Sequence, residues 1–335
     1  IADSKASFVS EFGMIAPMNL ESLQKCCDAD QLYPQSEQWL FHSNTGDNFE
    51  KILSQYFGVA EPCKMLPLEQ YILMGQAVQA EVIRAAFDKY RSEKFVCSGA
   101  LFWMYSDCYP TSGWCFVDYY GNKKPLYYYT KRAFAPVGIF FSGYNPNALQ
   151  SMQAYRAHYA QNGAMLHIAL TSDLARGVSL DCTVRVMTLS GQTLLHEAFT
   201  ADLPENAAKP DAYTLDLAPL FEAHDPCDLV VLCTASLDGE TVAENRYFPA
   251  PFKDMHLKKT AVHCEAEPCG DAVVLTLTAD RYVWLCHLPH DEGIYFDNND
   301  FDLVPGTPVR VTVSGPAAKD YRFRCLTMND CLQNG

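Results

Sequence analysis

The 335-residue sequence predicts an α/β region followed by an all-β region, on three observations. Phe8-Val9-Ser10-Glu11-Phe12-Gly13 is a short apolar strand ending on a carboxylate. Ser98-Gly99-Ala100-Leu101-Phe102-Trp103-Met104-Tyr105-Ser106-Asp107 repeats the design, and Glu69 to Tyr90 between them carries the period of a long amphipathic helix. From about residue 138 the texture changes to short alternating strands with turn residues between them. Strand, helix, strand is the pattern of a parallel unit, whereas evenly spaced alternating strands give an immunoglobulin-like sandwich.

The elements follow in order. Leu20 to Asp30 reads as a short helix after the Glu11 strand. A loop rich in aromatic and polar groups comes next, with Tyr33-Pro34, Trp39, His42, Asn44 and Gly46. Asp47 to Phe57 has helical spacing, with Phe49, Ile52, Leu53 and Phe57 on one side. Pro62 and Pro67 punctuate the approach to the long helix, whose Tyr71, Met74, Val78, Val82, Ala85 and Ala86 form one buried stripe. So long a loop after a strand is more often functional than idle.

In the second half, Met165–Thr171, Ser179–Thr188, Thr193–Thr200, Tyr213–Leu217 and Asp228–Ala235 alternate as half-buried strands do. Ser190-Gly191 and Asp238-Gly239 mark tight turns. Pro249-Ala250-Pro251 reads as a stiff linker into a second set, Thr260–Glu265, Ala272–Ala279, Val283–His287 and Val309–Ser314. Trp284, inside an alternating strand, is expected in a core.

Composition narrows the function. A hydrophobic content of 49% with 19% charged residues is globular. No run of eighteen apolar residues occurs, so a membrane-spanning helix is not expected. A net charge of −15 argues against a nucleic-acid surface, because phosphate binding needs a basic footprint. The 14 cysteines are scattered and make no C-x-x-C pair, so a structural zinc site is not expected. Cys97, Cys182, Cys233 and Cys286 lie inside apolar strands, where a thiol acts as a small hydrophobe. That usage favours a reducing, cytoplasmic setting, although bridges at Cys264–Cys269 or Cys325–Cys331 stay open.

A resemblance becomes specific in the ordered series of motifs. Ser10-Glu11-Phe12-Gly13 after a strand is followed by Ala100-Leu101-Phe102-Trp103 and an Asp107-Cys108-Tyr109-Pro110 turn. Then come Ser112-Gly113-Trp114-Cys115-Phe116-Val117-Asp118-Tyr119-Tyr120-Gly121 and the stretch from Lys124-Pro125-Leu126 to Pro136-Val137. Tyr282-Val283-Trp284-Leu285 and Tyr295-Phe296-Asp297-Asn298-Asn299-Asp300-Phe301-Asp302-Leu303 complete it. The series resembles the C-terminal part of β-mannosidase-like enzymes of glycoside hydrolase family 2. The resemblance implies the last strand–helix units of a (β/α)8 TIM-type barrel over residues 1–137, an immunoglobulin-like β-sandwich over 138–251 and a C-terminal β-sandwich over 252–335. A whole barrel takes about 250 residues, and two parallel strands alone would leave open edges. The remaining units are therefore expected upstream or in another polypeptide.

The resemblance also implies a retaining exo-glycosidase acting on terminal β-mannosides, with Glu11 as its nucleophile. Retaining glycosidases pair two carboxyl groups about 5–5.5 Å apart, one attacking the anomeric carbon and one working as acid, then base. The family's acid/base residue lies on an earlier strand. Only ten residues precede Glu11 and none is Glu, so the second carboxylate is not encoded here and the fragment alone is expected to be inactive. Trp103 matches the family's aromatic floor for a sugar ring. Asp107 matches the acid of its Asn-Asp pair, with Ser106 in place of the Asn. Trp39 and His42 lie in the loop that walls the sugar site in the resembling enzymes. Trp114 and Tyr119 are expected to be packing groups.

No cofactor or metal is implied, and the expected partner is a carbohydrate, with neither nucleic acid nor membrane. Two rival readings stand beside this one. The first keeps the family but changes the sugar to a galactoside, glucuronide or glucosaminide. The second is a non-catalytic carbohydrate-binding or scaffolding module built on the sandwiches.

Overall fold

A computed structural model describes residues 5–44, 48–143, 145–149 and 151–332. The first half carries α1 (Leu20–Cys26), α2 (Glu37–Phe41), α3 (Asn48–Phe57), α4 (Pro62–Met65) and the long α5 (Leu68–Ser92). Strands β1 (Val9–Phe12) and β2 (Ala100–Phe102) flank them. The chain divides into two compact units. One comprises the chain up to Phe12, Glu81–Phe102 and Thr130–His256; the other comprises Gly13–Ala80, Trp103–Tyr129 and the chain from Leu257 onward.

In the first unit β1 and β2 pair in parallel, Val9 opposite Ala100 and Phe12 opposite Phe102, with an irregularity between. Phe12 packs edge-on against Phe87, Tyr90 and Phe102. A sandwich follows. Strands β3 (Val137–Ser142), β4 (Met165–Ser172), β5 (Val178–Thr188), β6 (Thr193–Leu203), β7 (Ala208–Asp216), β8 (Leu229–Leu237) and β9 (Glu240–Tyr247) form sheets of order β3-β4-β7 and β6-β5-β8-β9. In β5, Leu180, Cys182, Val184 and Val186 point inward while Thr183 pairs its hydroxyl with Thr234 at 2.7 Å. The inward residues meet Ile139, Ile168, Leu170, Val231 and Cys233 in one core. Each such side chain stabilises the fold by about 1.5–3 kcal/mol. The β8–β9 turn is Asp238-Gly239, both at positive φ (54° and 85°), as a two-residue hairpin turn requires.

In the second unit, strands β10 (Val262–Cys269), β11 (Ala272–Ala279), β12 (Val283–His287), β13 (Tyr295–Phe296), β14 (Phe301–Leu303), β15 (Val309–Ser314) and β16 (Leu326–Thr327) form sheets β10-β11-β15-β13 and β14-β12-β16. Leu275, Leu277, Val283, Cys286, Phe301, Leu303, Val311 and Val313 fill the space between them. The acidic run before β14 is structural. Asn299 exchanges hydrogen bonds with the Leu288 backbone at 2.9 and 2.8 Å. Asp300 takes His287 Nδ1 at 2.7 Å, and Asp302 accepts from the Tyr282 hydroxyl at 2.5 Å and the Leu285 N–H at 2.9 Å. Trp284 is fully buried, as expected.

Several sequence expectations need correcting. The second α/β strand spans Ala100–Phe102 alone, because Trp103 onward leaves the pairing. The helix expected to Asp30 stops at Cys26, and a separate 3-10 turn covers Ala29–Gln31. The helix read from Asp47 is seen from Asn48; Asp47 and the loop's Gly46 lie outside the described residues. Helix α5 is buried all round from Tyr71 to Glu81 rather than along one stripe, while Val82 and Ala85 are half-buried. Pro249-Ala250-Pro251, read as a stiff linker, is buried. Strands β3, β9, β13, β14 and β16 were not expected from alternation; three of them have only two or three residues, too few to show a period. All 14 cysteines are free thiols.

Polar residues inside α5 explain its burial. Glu81 pairs with Arg246, with a second contact of 3.1 Å, and with Arg84 at 2.9 Å. Burial alone would push Glu81 up, but the two guanidiniums hold its carboxyl down at about 2. Two turns on, Asp88 shares Arg84 at 3.0 Å and accepts from Asn245 at 3.1 Å, yet burial dominates and lifts it to about 6.

Candidate active site

Strand alternation sets the direction of Glu11. Phe12 enters the aromatic cluster, while its neighbour Glu11 is exposed. Because β1 and β2 run parallel, their C-terminal ends share one edge. Glu11 stands one residue before the end of β1. That arrangement is set by backbone pairing alone: Val9 N–H donates to the Gly99 carbonyl at 2.8 Å and Ser98 N–H to the Ser7 carbonyl at 2.7 Å.

Trp103 is 48% exposed, an unusual position for so large an apolar ring. Its peptide bond to Met104 is cis. Asp107 is only 8% exposed, and its Oδ2 finds no hydrogen-bond partner among the described residues. Burial pushes its carboxyl above the usual range, opposed by a hydrogen bond with the Cys115 thiol and by the Lys124 ammonium. A buried carboxyl oxygen without a partner is costly and calls for an explanation.

His42 is half-buried. Its Nδ1 bonds the Pro110 carbonyl at 2.7 Å, and its ring stacks on Tyr109 at 5.5 Å. The backbone beside it is stitched to the same turn, Ser112 N–H to the His42 carbonyl at 2.8 Å and Asn44 N–H to the Ser112 carbonyl at 2.9 Å. A Cβ placed on Gly113 would lie 3.5 Å from Asn44 Nδ2 and 3.7 Å from Asp107 Oδ1. The structure therefore brings His42, Asn44 and Asp107 to one turn. Trp39 is different: at 3% exposure it packs edge-on against Tyr71 inside the unit, so it backs the loop rather than lining a surface. Of the two expected packing residues, Trp114 is half-buried, but Tyr119 is 49% exposed.

Sequence reasoning passed over the residues that hold this turn. Lys124 is fully buried, donating to the carbonyls of Ala16 at 3.2 Å and Gly113 at 3.3 Å. Gln79 of α5 donates to the Met14 and Trp114 carbonyls at 2.7 and 3.2 Å, and Gln76 to the Pro17 carbonyl at 3.1 Å. Asp118 accepts from Ser22 at 2.5 Å and from the N–H groups of Tyr120 and Asn122 at 3.0 Å each. Side-chain amides on the apolar stripe of α5 were the signal available for Gln76 and Gln79. For Lys124 there was none, since a lysine in a polar stretch reads as surface.

Residues 164–254 match the family described as Mannosidase Ig/CBM-like domain, and residues 257–331 match the Ig-fold domain of mannosidases. The chain is 28% identical over 331 residues to β-mannosidase B of Thermothelomyces thermophilus, covering 94% of this chain and 38% of that protein. It is 25% identical over 326 residues to β-mannosidase B of Aspergillus niger, with the same coverage of 94% and 38%. The chain thus spans just over a third of the length of these relatives. Among solved structures, the β-D-mannosidase of Dictyoglomus thermophilum is similar with a TM-score of 0.78 at 22% identity, over 93% of this chain and 36% of that one. The exo-chitosanase of Amycolatopsis orientalis gives 0.69 at 17% identity, over 96% and 42%. At such identities the structural likeness speaks for the fold. Along nearly its whole length, the chain resembles the C-terminal part of a β-mannosidase-like enzyme of glycoside hydrolase family 2.

Proposed function

We propose that this chain is the C-terminal part of a retaining exo-glycosidase that hydrolyses terminal β-mannosides, with Glu11 as the nucleophile. The observation that carries the reading is the exposed Glu11 carboxylate at the C-terminal end of a strand paired in parallel with β2, the end at which barrel enzymes carry their catalytic groups. The relatives named β-mannosidase B support the sugar. In this reading residues 1–137 supply the last strand–helix units of a TIM-type barrel, and residues 138–251 and 252–335 are the two sandwich domains.

The chemistry assigned to each residue follows from its surroundings. Glu11 attacks the anomeric carbon and forms a glycosyl-enzyme, which water then resolves. Trp103 offers a ring face to the C–H groups of the sugar. Asp107, on the turn that also carries His42 and Asn44, supplies a carboxylate beside the substrate. His42, held by Pro110 and Tyr109, presents its second ring nitrogen, and Trp39 stiffens the loop behind it. The acid/base carboxylate comes from another part of a longer protein.

A second reading keeps the reaction and changes the sugar to a β-glucosaminide. A panel of aryl β-glycosides given to the longer protein separates the two. We expect turnover of the mannoside to exceed that of the glucosaminide, glucuronide and galactoside; a preference for any of the others replaces the mannoside assignment.

A further inference from the structure

Away from these residues, in the first unit, a short turn gathers three side chains of different donor type. Asp225-Pro226-Cys227-Asp228 enters β8 through a 3-10 turn whose Pro226 fixes φ at its start. The Cys227 N–H donates to Asp225 Oδ1 at 3.0 Å, and the His256 N–H donates to the Cys227 carbonyl at 3.0 Å. Backbone bonds thus tie a residue far along the chain to the turn. One carboxylate oxygen of Asp225, the Cys227 sulfur and a ring nitrogen of His256 lie within 4.8 Å of one another. Asp228 takes His256 Nδ1 at 3.1 Å and orients the imidazole, as carboxylates do behind metal-bound histidines.

Carboxylates surround the cluster. Asp225, Asp228 and Asp254 approach Cys227 and His256. Arg156 meets Asp225 Oδ1 at 3.1 Å, and Asp254 Oδ2 accepts from the Met152 N–H at 3.1 Å. Asp225, Asp228 and Asp254 thus set carboxylates around a turn that also holds a thiol.

We propose that Asp225, Cys227 and His256 form a site for one divalent transition-metal ion of the zinc type, with water completing the shell. Donor atoms around tetrahedral zinc stand roughly 3.3–3.8 Å apart for bonds of about 2.0–2.3 Å, so small side-chain rotations close the shell from the present spacing. Sulfur and nitrogen donors exclude magnesium and calcium, which take oxygen ligands. On binding, the S–H bond breaks, its proton leaves to solvent, and the sulfur lone pair forms the bond to the metal. Affinity therefore rises with pH. The missing C-x-x-C spacing does not argue against this site, because its donors come from the turn before β8 and the segment after β9.

Cobalt(II) titration of the reduced full chain tests the proposal. We expect a thiolate-to-cobalt charge-transfer band in the near ultraviolet, saturating at one equivalent, with one proton released and the band displaced by zinc. Cys227→Ser should abolish the band. His256→Ala, at an exposed position, removes a ligand outright and should weaken binding by more than the roughly 10–100-fold that losing an outer partner such as Asp228 costs. Absence of the band overturns the proposal, as does a band of unchanged intensity in Cys227→Ser, which would place the metal on other thiols.

Discussion

Gly13 lies directly against the backbone of Trp103: a Cβ placed on it would stand 2.3 Å from the Trp103 carbonyl oxygen and 3.0 Å from Trp114 Cδ1. Real side chains do not approach backbone that closely, so residue 13 must be glycine for Trp103 to hold its place. The glycine of Ser-Glu-Phe-Gly is thereby explained by close approach rather than by a turn.

Gly13→Ala should therefore move the Trp103 backbone. We expect a loss of about 1–3 kcal/mol, the usual cost of overpacking, with a fall in glycosidase rate in the longer protein. Chemical denaturation and initial rates measure both. A variant as stable and as active as the parent contradicts the approach.

Glu11→Gln keeps size and shape but removes the anionic nucleophile. Turnover in the longer protein should fall by roughly 10³-fold or more, with the loss in the chemical step rather than in binding. Single-turnover kinetics distinguish these. Activity within tenfold of the parent removes Glu11 from the nucleophile role.

Trp103→Ala should lower kcat and raise KM together, because it removes both a stacking face and a positioning wall. Its 48% exposure means little core is lost, so melting temperature should move little. The reverse pattern, unchanged kinetics with a large fall in Tm, would make Trp103 a packing residue.

Asp88 gives a pH signature. Its folded carboxyl titrates at about 6, above an unfolded value near 3.8, so the folded state binds more proton between those limits. Stability from this group is present below pH 4 and is lost as pH rises through 6, on the order of 2–3 kcal/mol. Glu81, held down at about 2, loses its contribution as pH falls from about 4.5 toward 2, and does so alike in both proteins. Comparing Asp88→Asn with the parent by denaturation at pH 4 and pH 7 should show the parent losing ground at the higher pH. Parallel curves for the two would show that Asp88 ionises normally.

The sequence alone determined the order of the parts. Glu11 at a strand end, the long α5 and the alternating strands from Met165 onward were legible because strand and helix periods are local. Ala272–Ala279, Val283–His287 and Val309–Ser314 appear at the expected bounds. Trp284 was legible as core for the same reason. The tertiary structure decided what periodicity cannot carry. Trp39 turned inward onto Tyr71 although its loop reads as polar. Lys124, Gln76 and Gln79 became interior hydrogen-bond donors because the irregular segments 14–19 and 113–115 have carbonyls that no helix or sheet satisfies. Asp107 kept a buried, unpartnered oxygen, and Asp225, Cys227 and His256 met across β8 and β9. Each of these depends on which distant backbone arrives beside a side chain, and that is fixed by packing in three dimensions rather than by neighbours along the chain.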